Sequence, residues 1–410
     1  MSSYFEDKIA ERLGGKQFGK STTIYKFEII KRAKARARAA NPHMELIDMG
    51  VGEPDWMADP GVVAKLAEEA AKPENRWYAD NGILEFQEAA VKYMDQVYGV
   101  KGLSATDNIC HGIGSKPVLA MLPICFVNPG EVLLTTVPGY PVTATYTKYL
   151  GGEVYNLPLL EENAFFPDYS TIPADILKKA KMLYINYPNN PTGAVATVDF
   201  FKKTVEFAKK NGIVVVHDAP YAALTYDGYK PLSFLSVPGA MEVGVEVHSL
   251  SKAFNMTGWR IGFIAGETHA VKAFATIKDN TDSGQFRAIQ KAAIYALQHP
   301  EITAKTSAKY SRRFDLLIAA LKEVGFDAKK PQGSFFTYMK SPKGAGSKTF
   351  NNATEFSEFL IESCLISTVP WDDVGHYLRF SVTFEAKDEA DEKRVIGELK
   401  ARLKKLDLKF

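Results

Sequence analysis

Lys252 follows directly on the apolar run Gly244–Ser249, inside Ser249-Leu250-Ser251-Lys252, and Arg260 comes eight residues later. A primary amine at the carboxyl end of a strand sits where open α/β sheets place their ligands. There it can attack a carbonyl or carry a proton. Taken alone, an S-x-S-K string fits any solvated lysine equally well. Two companion strings also close apolar runs. Tyr187-Pro188-Asn189-Asn190-Pro191-Thr192-Gly193 follows Met182–Asn186 and makes a rigid turn able to aim an amide across the strand ends. His217-Asp218-Ala219-Pro220-Tyr221 ends the valine-rich run from Ile213 with an acid, an expensive placement without a cationic partner.

Two further positions suit anions. At Gly114-Ser115-Lys116 a strand gives way to a helix whose first N–H groups favour negative charge, although ordinary strand-to-helix turns share that look. Arg379, in Tyr377-Leu378-Arg379-Phe380-Ser381, carries the planar fork that grips a carboxylate, or else is a strand-edge surface charge. His217 reads either as a tuner of Asp218 or as a satisfied core histidine. The other histidines show no metal-ligand spacing, and no metal is expected.

These residues need a frame. From about residue 46, short β-branched runs alternate with longer helical stretches, the mark of βαβ units around a mostly parallel sheet. The spacing predicts strands at Leu46–Met49, Val132–Thr136, Met182–Asn186, Ile213–Asp218, Gly244–Ser249 and Ile261–Ala265. Helices are predicted at Pro60–Ala71, Leu84–Tyr98, Phe200–Lys210 and Ala270–Lys278, flanked by Gly, Asn or Pro. Beyond residue 300 a long helix, Lys305–Val324, precedes strands Ser334–Lys340, Leu365–Val369 and Leu378–Val382 and a last helix, Ala386–Leu406. This ordering implies a doubly wound α/β large domain over residues 46–295 and a smaller α+β domain over 296–410, with residues 1–45 an arm and the first part of the small domain. The basic run Lys31–Arg38 reads as a solvated helix face.

At 410 residues, 46% of them apolar, the chain can bury a large core. Lys and Arg number 50 against 48 Asp and Glu, so no global imbalance points to nucleic acid or a membrane surface. Cys110, Cys125 and Cys364 are odd in number, far apart and set among apolar residues, as reduced core thiols are. No apolar leader or 18-residue uncharged apolar run occurs, and a cytoplasmic location is expected.

The three strings, in this order, resemble the fold-type I pyridoxal-phosphate (PLP) aminotransferases. That resemblance implies a seven-stranded, mostly parallel sheet and PLP as cofactor. PLP requires a lysine for its Schiff base, a carboxylate on its pyridinium nitrogen and donors to its phenolate oxygen. By the resemblance Lys252, Asp218, and the pair Asn190 and Tyr221 would fill those roles, with Lys252, Asp218 and Tyr221 the catalytic set and Asn190 also contacting the substrate. Gly114, Ser115, Lys116, Ser249, Ser251 and Arg260 would cup the phosphate. By resemblance Tyr140 stacks on the ring, Tyr78 reaches the phosphate of a partner subunit in a homodimer, and Gly52 joins Arg379 on the substrate carboxylate.

Over nearly its whole length the chain is similar to the LL-diaminopimelate aminotransferases, in their archaeal and bacterial branch. Arg12-Leu13-Gly14-Gly15-Lys16, Asp80-Asn81-Gly82, Pro138-Gly139-Tyr140-Pro141-Val142-Thr143 and Val369-Pro370-Trp371-Asp372-Asp373 carry this likeness. It implies exchange between LL-2,6-diaminopimelate and 2-oxoglutarate, with Lys16, Tyr25, Tyr140 and Tyr78 near the distal end of the substrate. A broad aspartate, alanine or aromatic aminotransferase and a PLP β-lyase are the alternative enzymes. A PLP-binding regulator would need a DNA-binding domain for which the chain has no room.

Overall fold

The computed structural model describes residues 4, 5, 7–20 and 26–410. Its centre is a seven-stranded sheet: β1 (Ile109–Gly112), β2 (Val132–Val137), β3 (Glu153–Pro158), β4 (Ala180–Asn186), β5 (Val214–Asp218), β6 (Gly244–Ser249) and β7 (Gly262–Gly266). The spatial order is β1-β7-β6-β5-β4-β2-β3. From β3 across to β6 every ladder is parallel, and β7 runs antiparallel to both of its neighbours.

Period-two alternation sends side chains to opposite faces. In β4, Met182 and Tyr184 join one apolar cluster, with Leu119 and Leu122 of the helix Ser115–Phe126. Leu183 and Ile185 join the other, with Phe201 and Val205 of the helix Val198–Asn211. The latter helix shows its local logic plainly. Thr197 caps it by accepting the Phe200 N–H at 3.1 Å, and Gly212, at φ +63°, ends it in the left-handed conformation. Phe200, Phe201, Thr204, Val205 and Ala208 form its buried stripe. Each large apolar side chain so covered contributes about 1.5–3 kcal/mol relative to exposure.

The C-terminal third forms a second layer. β8 (Phe336–Lys340), β9 (Val369–Trp371) and β10 (Tyr377–Ser381) make an antiparallel sheet with β10 central, and Arg379 lies opposite both Val369 and Tyr338. The long helix Glu301–Glu323 packs on the last helix, Glu389–Lys404.

One expectation is corrected. Ile47–Asp48, within the run read as the first strand of the parallel sheet, pairs instead with Ile366–Ser367, and Met49 N–H donates to the Ser367 carbonyl at 2.8 Å. The strand expected before Gly114 is Ile109–Gly112, and the strand at Glu153–Pro158 was not anticipated. Among the described residues no helix is long and apolar enough to cross a membrane and no cluster of three metal-ligating side chains occurs. The three cysteines are free, with Cys110 and Cys364 buried.

Candidate active site

Parallel strands deliver their carboxyl ends to one edge of the sheet, and the chemistry-bearing strings emerge there. A cavity of about 350 Å³ opens between these ends and the C-terminal layer. Lys252, Asp218, Tyr221, Asn190, Tyr140 and Arg260 line it. So do Ser115, Lys116, Ser249, Ser251, Gly52 and Arg379.

Asp218 ends β5 and is 3% exposed. Its Oδ2 accepts the Tyr184 hydroxyl at 2.9 Å, while Oδ1 is buried without a hydrogen-bond partner. Burial pushes its carboxyl up to about 7, against the opposing pull of the Tyr184 hydrogen bond, His217 and Lys252. Lys252 follows β6 and donates to the Gly52 carbonyl at 2.7 Å. Burial brings its amine down to about 8; Glu53 works against that, and Arg260 and Arg379 add to it. An amine so poised gives up a proton far more readily than a solvated lysine.

Arg379 is fixed on three sides. Nη1 donates to Asn190 Oδ1 and Nη2 to the Gly50 carbonyl, both at 2.9 Å, and the guanidinium lies 3.9 Å over the Phe336 ring. It is 3% exposed, its Nε has no partner, and burial brings its proton affinity down to about 10. A buried guanidinium with spare donors facing a cavity is a ready receptor for a carboxylate. Asn190 is set by the turn before it: its own N–H donates to Asn186 Oδ1 at 2.8 Å, and Asn189 Oδ1 accepts from Thr192 N and Oγ1.

The opposite wall suits a phosphate. Gly114 precedes the helix Ser115–Phe126 at φ +76°, ψ +165°, a region essentially reserved for glycine. A Cβ there would run into the Arg260 guanidinium. Arg260 itself adopts φ +56°, a conformation costing a non-glycine residue roughly 1–3 kcal/mol, and its Nη1 donates to the Thr257 carbonyl at 2.8 Å. The helix N-terminus, Ser249, Ser251 and Arg260 thus converge on one end of the cavity.

Other anticipated residues lie elsewhere. Tyr78 is 78% exposed and outside its own chain's cavity, with its carbonyl held by Arg287 Nη2 at 2.7 Å. Lys16 is exposed on the short helix Gly15–Gln17 and does not line the cavity. Tyr25 lies outside the described residues. His217 belongs to the core: its Nδ1 lies 2.7 Å from Glu246 Oε2 and its Nε2 2.9 Å from the Tyr187 carbonyl oxygen. Sequence reasoning passed over Tyr184 and Phe336. A phenol inside the fully apolar stretch Met182–Ile185 was the available signal for Tyr184, since a buried hydroxyl needs a partner; Phe336 carried none.

The loop bearing Gly52 is tied down from behind. Asp55 pairs with Lys309 Nζ at 2.6 Å and with Arg313 Nη2 at 3.0 Å. Arg313 Nε and Arg312 Nε both reach Glu392, at 2.8 and 2.9 Å. One buried ionic chain therefore joins this loop, the helix Glu301–Glu323 and the C-terminal helix.

The seven-stranded sheet and its strand order are those of the PLP-dependent transferase fold type I. The family described as aminotransferase class I and II matches residues 44–396, and the chain belongs to it. It is 60% identical to the LL-diaminopimelate aminotransferase of Methanocaldococcus jannaschii over the whole of both chains. With that of Moorella thermoacetica it shares 39% identity over 92% of this chain and 96% of the other. Among solved structures, substrate-bound BacF from Bacillus subtilis matches with a TM-score of 0.86 at 32% identity, covering 95% of this chain and 97% of that one. A Thermus thermophilus aspartate aminotransferase mutant, at 24% identity and TM-score 0.84 over 98% and 100% of the two chains, shares the fold.

Proposed function

We propose that this enzyme transfers an amino group between LL-2,6-diaminopimelate and 2-oxoglutarate with PLP as cofactor. The amino-oxo product cyclises to tetrahydrodipicolinate, glutamate is the other product, and biosynthesis runs the reaction in reverse. The observation that carries the substrate assignment is the 60% identity, end to end, with a relative bearing that name. The residues present fit the cofactor. Asp218 offers an unpartnered buried oxygen to a protonated ring nitrogen, and Gly114, having no Cβ, lets the Arg260 guanidinium lie against the helix start where a phosphate would be held.

Bound PLP supplies a carbonyl carbon for amine exchange and a conjugated ring that takes up the electron pair left at the substrate α-carbon. In this reading Asp218 anchors the ring nitrogen, Asn190 and Tyr221 donate to the phenolate oxygen, and Tyr140 stacks on the ring. The helix start at Gly114, Ser115 and Lys116 holds the phosphate with Ser249, Ser251 and Arg260. Arg379 and the Gly52 N–H take the substrate's α-carboxylate, which places its α-hydrogen for Lys252. The Lys252 amine, lowered to about 8, then accepts that proton and returns it on the far side of the exchange.

Tyr78, exposed on its own chain, is proposed to complete the phosphate site of a second copy, which makes the working unit a homodimer; a cytoplasmic setting accords with the soluble substrates. The distal ammonium and carboxylate of diaminopimelate need polar partners of their own. The experiment is a set of single-turnover titrations of the holoenzyme with LL-diaminopimelate, glutamate, aspartate, alanine and tyrosine, read by visible absorbance. Conversion by diaminopimelate and glutamate alone is expected. Equal conversion by aspartate, alanine or tyrosine would replace the assignment with a general aminotransferase.

A further inference from the structure

The two carboxylate oxygens of Asp218 have different surroundings. Oδ1 is buried and unpartnered on the cavity wall, whereas Oδ2 is held by the Tyr184 hydroxyl at 2.9 Å. Tyr184 is fully buried in β4, level with Val216 of β5 and two residues ahead of the Asn186–Asp218 pair. Leu119, Met182 and Val216, which share its apolar cluster, present only apolar surface to it. From the same strand, Asn186 Nδ2 donates to the Asp218 carbonyl at 2.8 Å. β4 thus clamps both the backbone and the side chain of the residue ending β5.

We propose that Tyr184 is a positioning residue for Asp218: by occupying Oδ2 it turns Oδ1 toward the cavity and keeps the carboxylate ionised for a protonated ring nitrogen. The proposal rests on the reading of Asp218 as the partner of that nitrogen. An aliphatic residue at 184 would leave both oxygens of a buried carboxylate without a protein donor.

The other groups facing Asp218 do not replace Tyr184. Lys252 after β6 acts on it through charge, as does His217 on its own strand, which is turned away toward Glu246. His248 in β6 is likewise engaged with Glu246, at 2.6 Å. Tyr140 and Tyr221 face the same cavity, and Lys116 lies at the start of the overlying helix. Burial drives the carboxyl toward protonation, and the Tyr184 hydrogen bond is the foremost influence against it. Burial also pushes the Tyr184 phenol well above its usual range, so it remains a donor at any physiological pH.

The test uses the full chain stripped of cofactor, as unmodified protein, Tyr184→Phe and Asp218→Asn. pH-difference infrared spectroscopy reads the Asp218 carboxyl, identified by the band that Asp218→Asn removes, and PLP affinity is titrated at pH 7 by protein fluorescence. In the unmodified chain a midpoint near about 7 is expected. Tyr184→Phe is expected to raise it by about one unit and to weaken PLP binding about tenfold. An unaltered midpoint overturns the proposal, whether affinity is kept or lost, because a loss without a carboxyl shift makes Tyr184 a packing residue. Asp218→Asn binding PLP as tightly as the unmodified chain would instead remove Asp218 from the ring nitrogen, and the proposal with it.

Discussion

Asp218 keeps a carboxylate where water cannot reach it, and the protein carries that cost until a cation arrives. Its folded carboxyl, at about 7, binds a proton more tightly than the same group in the unfolded chain, near 3.8. Between those values the folded state holds more protons, so the penalty is full above pH 7 and fades as pH falls toward 4. Asp218→Asn is therefore expected to stabilise the cofactor-free protein at pH 8 by about 2–4 kcal/mol, and the gain should shrink steadily below pH 7. Urea unfolding at pH 8, 6 and 5 checks this, and a gain independent of pH would contradict it. Arg379 makes the complementary case for geometry over charge. Arg379→Lys keeps the positive charge but loses the planar fork that reaches Asn190 and the Gly50 carbonyl together. The expected result is a rise in KM for 2-oxoglutarate of about a hundredfold, equivalent to ~3 kcal/mol, with a smaller change in kcat.

Among the elements, the turn from β1 into the helix Ser115–Phe126 is the least tolerant of change. Gly114→Ala places a Cβ against Arg260 in a backbone region only glycine occupies comfortably. It is expected to cost about 1–3 kcal/mol in stability and to weaken PLP binding by roughly tenfold or more through the displaced guanidinium, measured by unfolding and by cofactor titration. The strands that position the catalytic strings were legible because β4 and β5 are largely apolar runs ended by a polar signal, while β6 alternates valine with Glu246 and His248. β1 was legible only through the turn at Gly114, and β3 was not. β1 is four residues long and breaks into Gly112 and Gly114, and β3 lies at the sheet's edge with Glu153, Asn156 and Pro158 exposed. Ile47–Asp48 reads locally like any short strand, and its partner, Ile366–Ser367, is too distant in sequence to leave a local sign. The site residues were readable for the same reason as the central strands: Lys252, Asp218 and Asn190 sit just beyond or at apolar runs. Tyr184 is hidden inside one.

At the scale of the whole molecule, the ionic chain from Asp55 to Glu392 couples the Gly52 loop to the C-terminal helix. Burial, with Arg313 adding to it, brings Lys309 down to about 8 even with Asp55 beside it. Asp55→Asn would leave Lys309 and Arg313 facing each other without the intervening anion, and a loss of about 3–5 kcal/mol is expected. Because Gly52 also accepts the Lys252 amine, turnover should fall further than cofactor affinity does, and stopped-flow measurement of the two separates these effects. Equal loss of both would mean that the chain serves stability alone.

The Arg379–Asn190 contact has one more consequence. A side-chain amide has an acceptor end and a donor end, and guanidinium can face only the acceptor. Arg379 therefore acts as a compass for Asn190, keeping its NH2 pointed away from the arginine. In Arg379→Met that needle is free to swing, so an alteration at the proposed carboxylate receptor would also blur the hydrogen bond that Asn190 is proposed to make to the cofactor's oxygen. The colour of the holoenzyme would then register a change made at the substrate's end of the site, before any substrate is added.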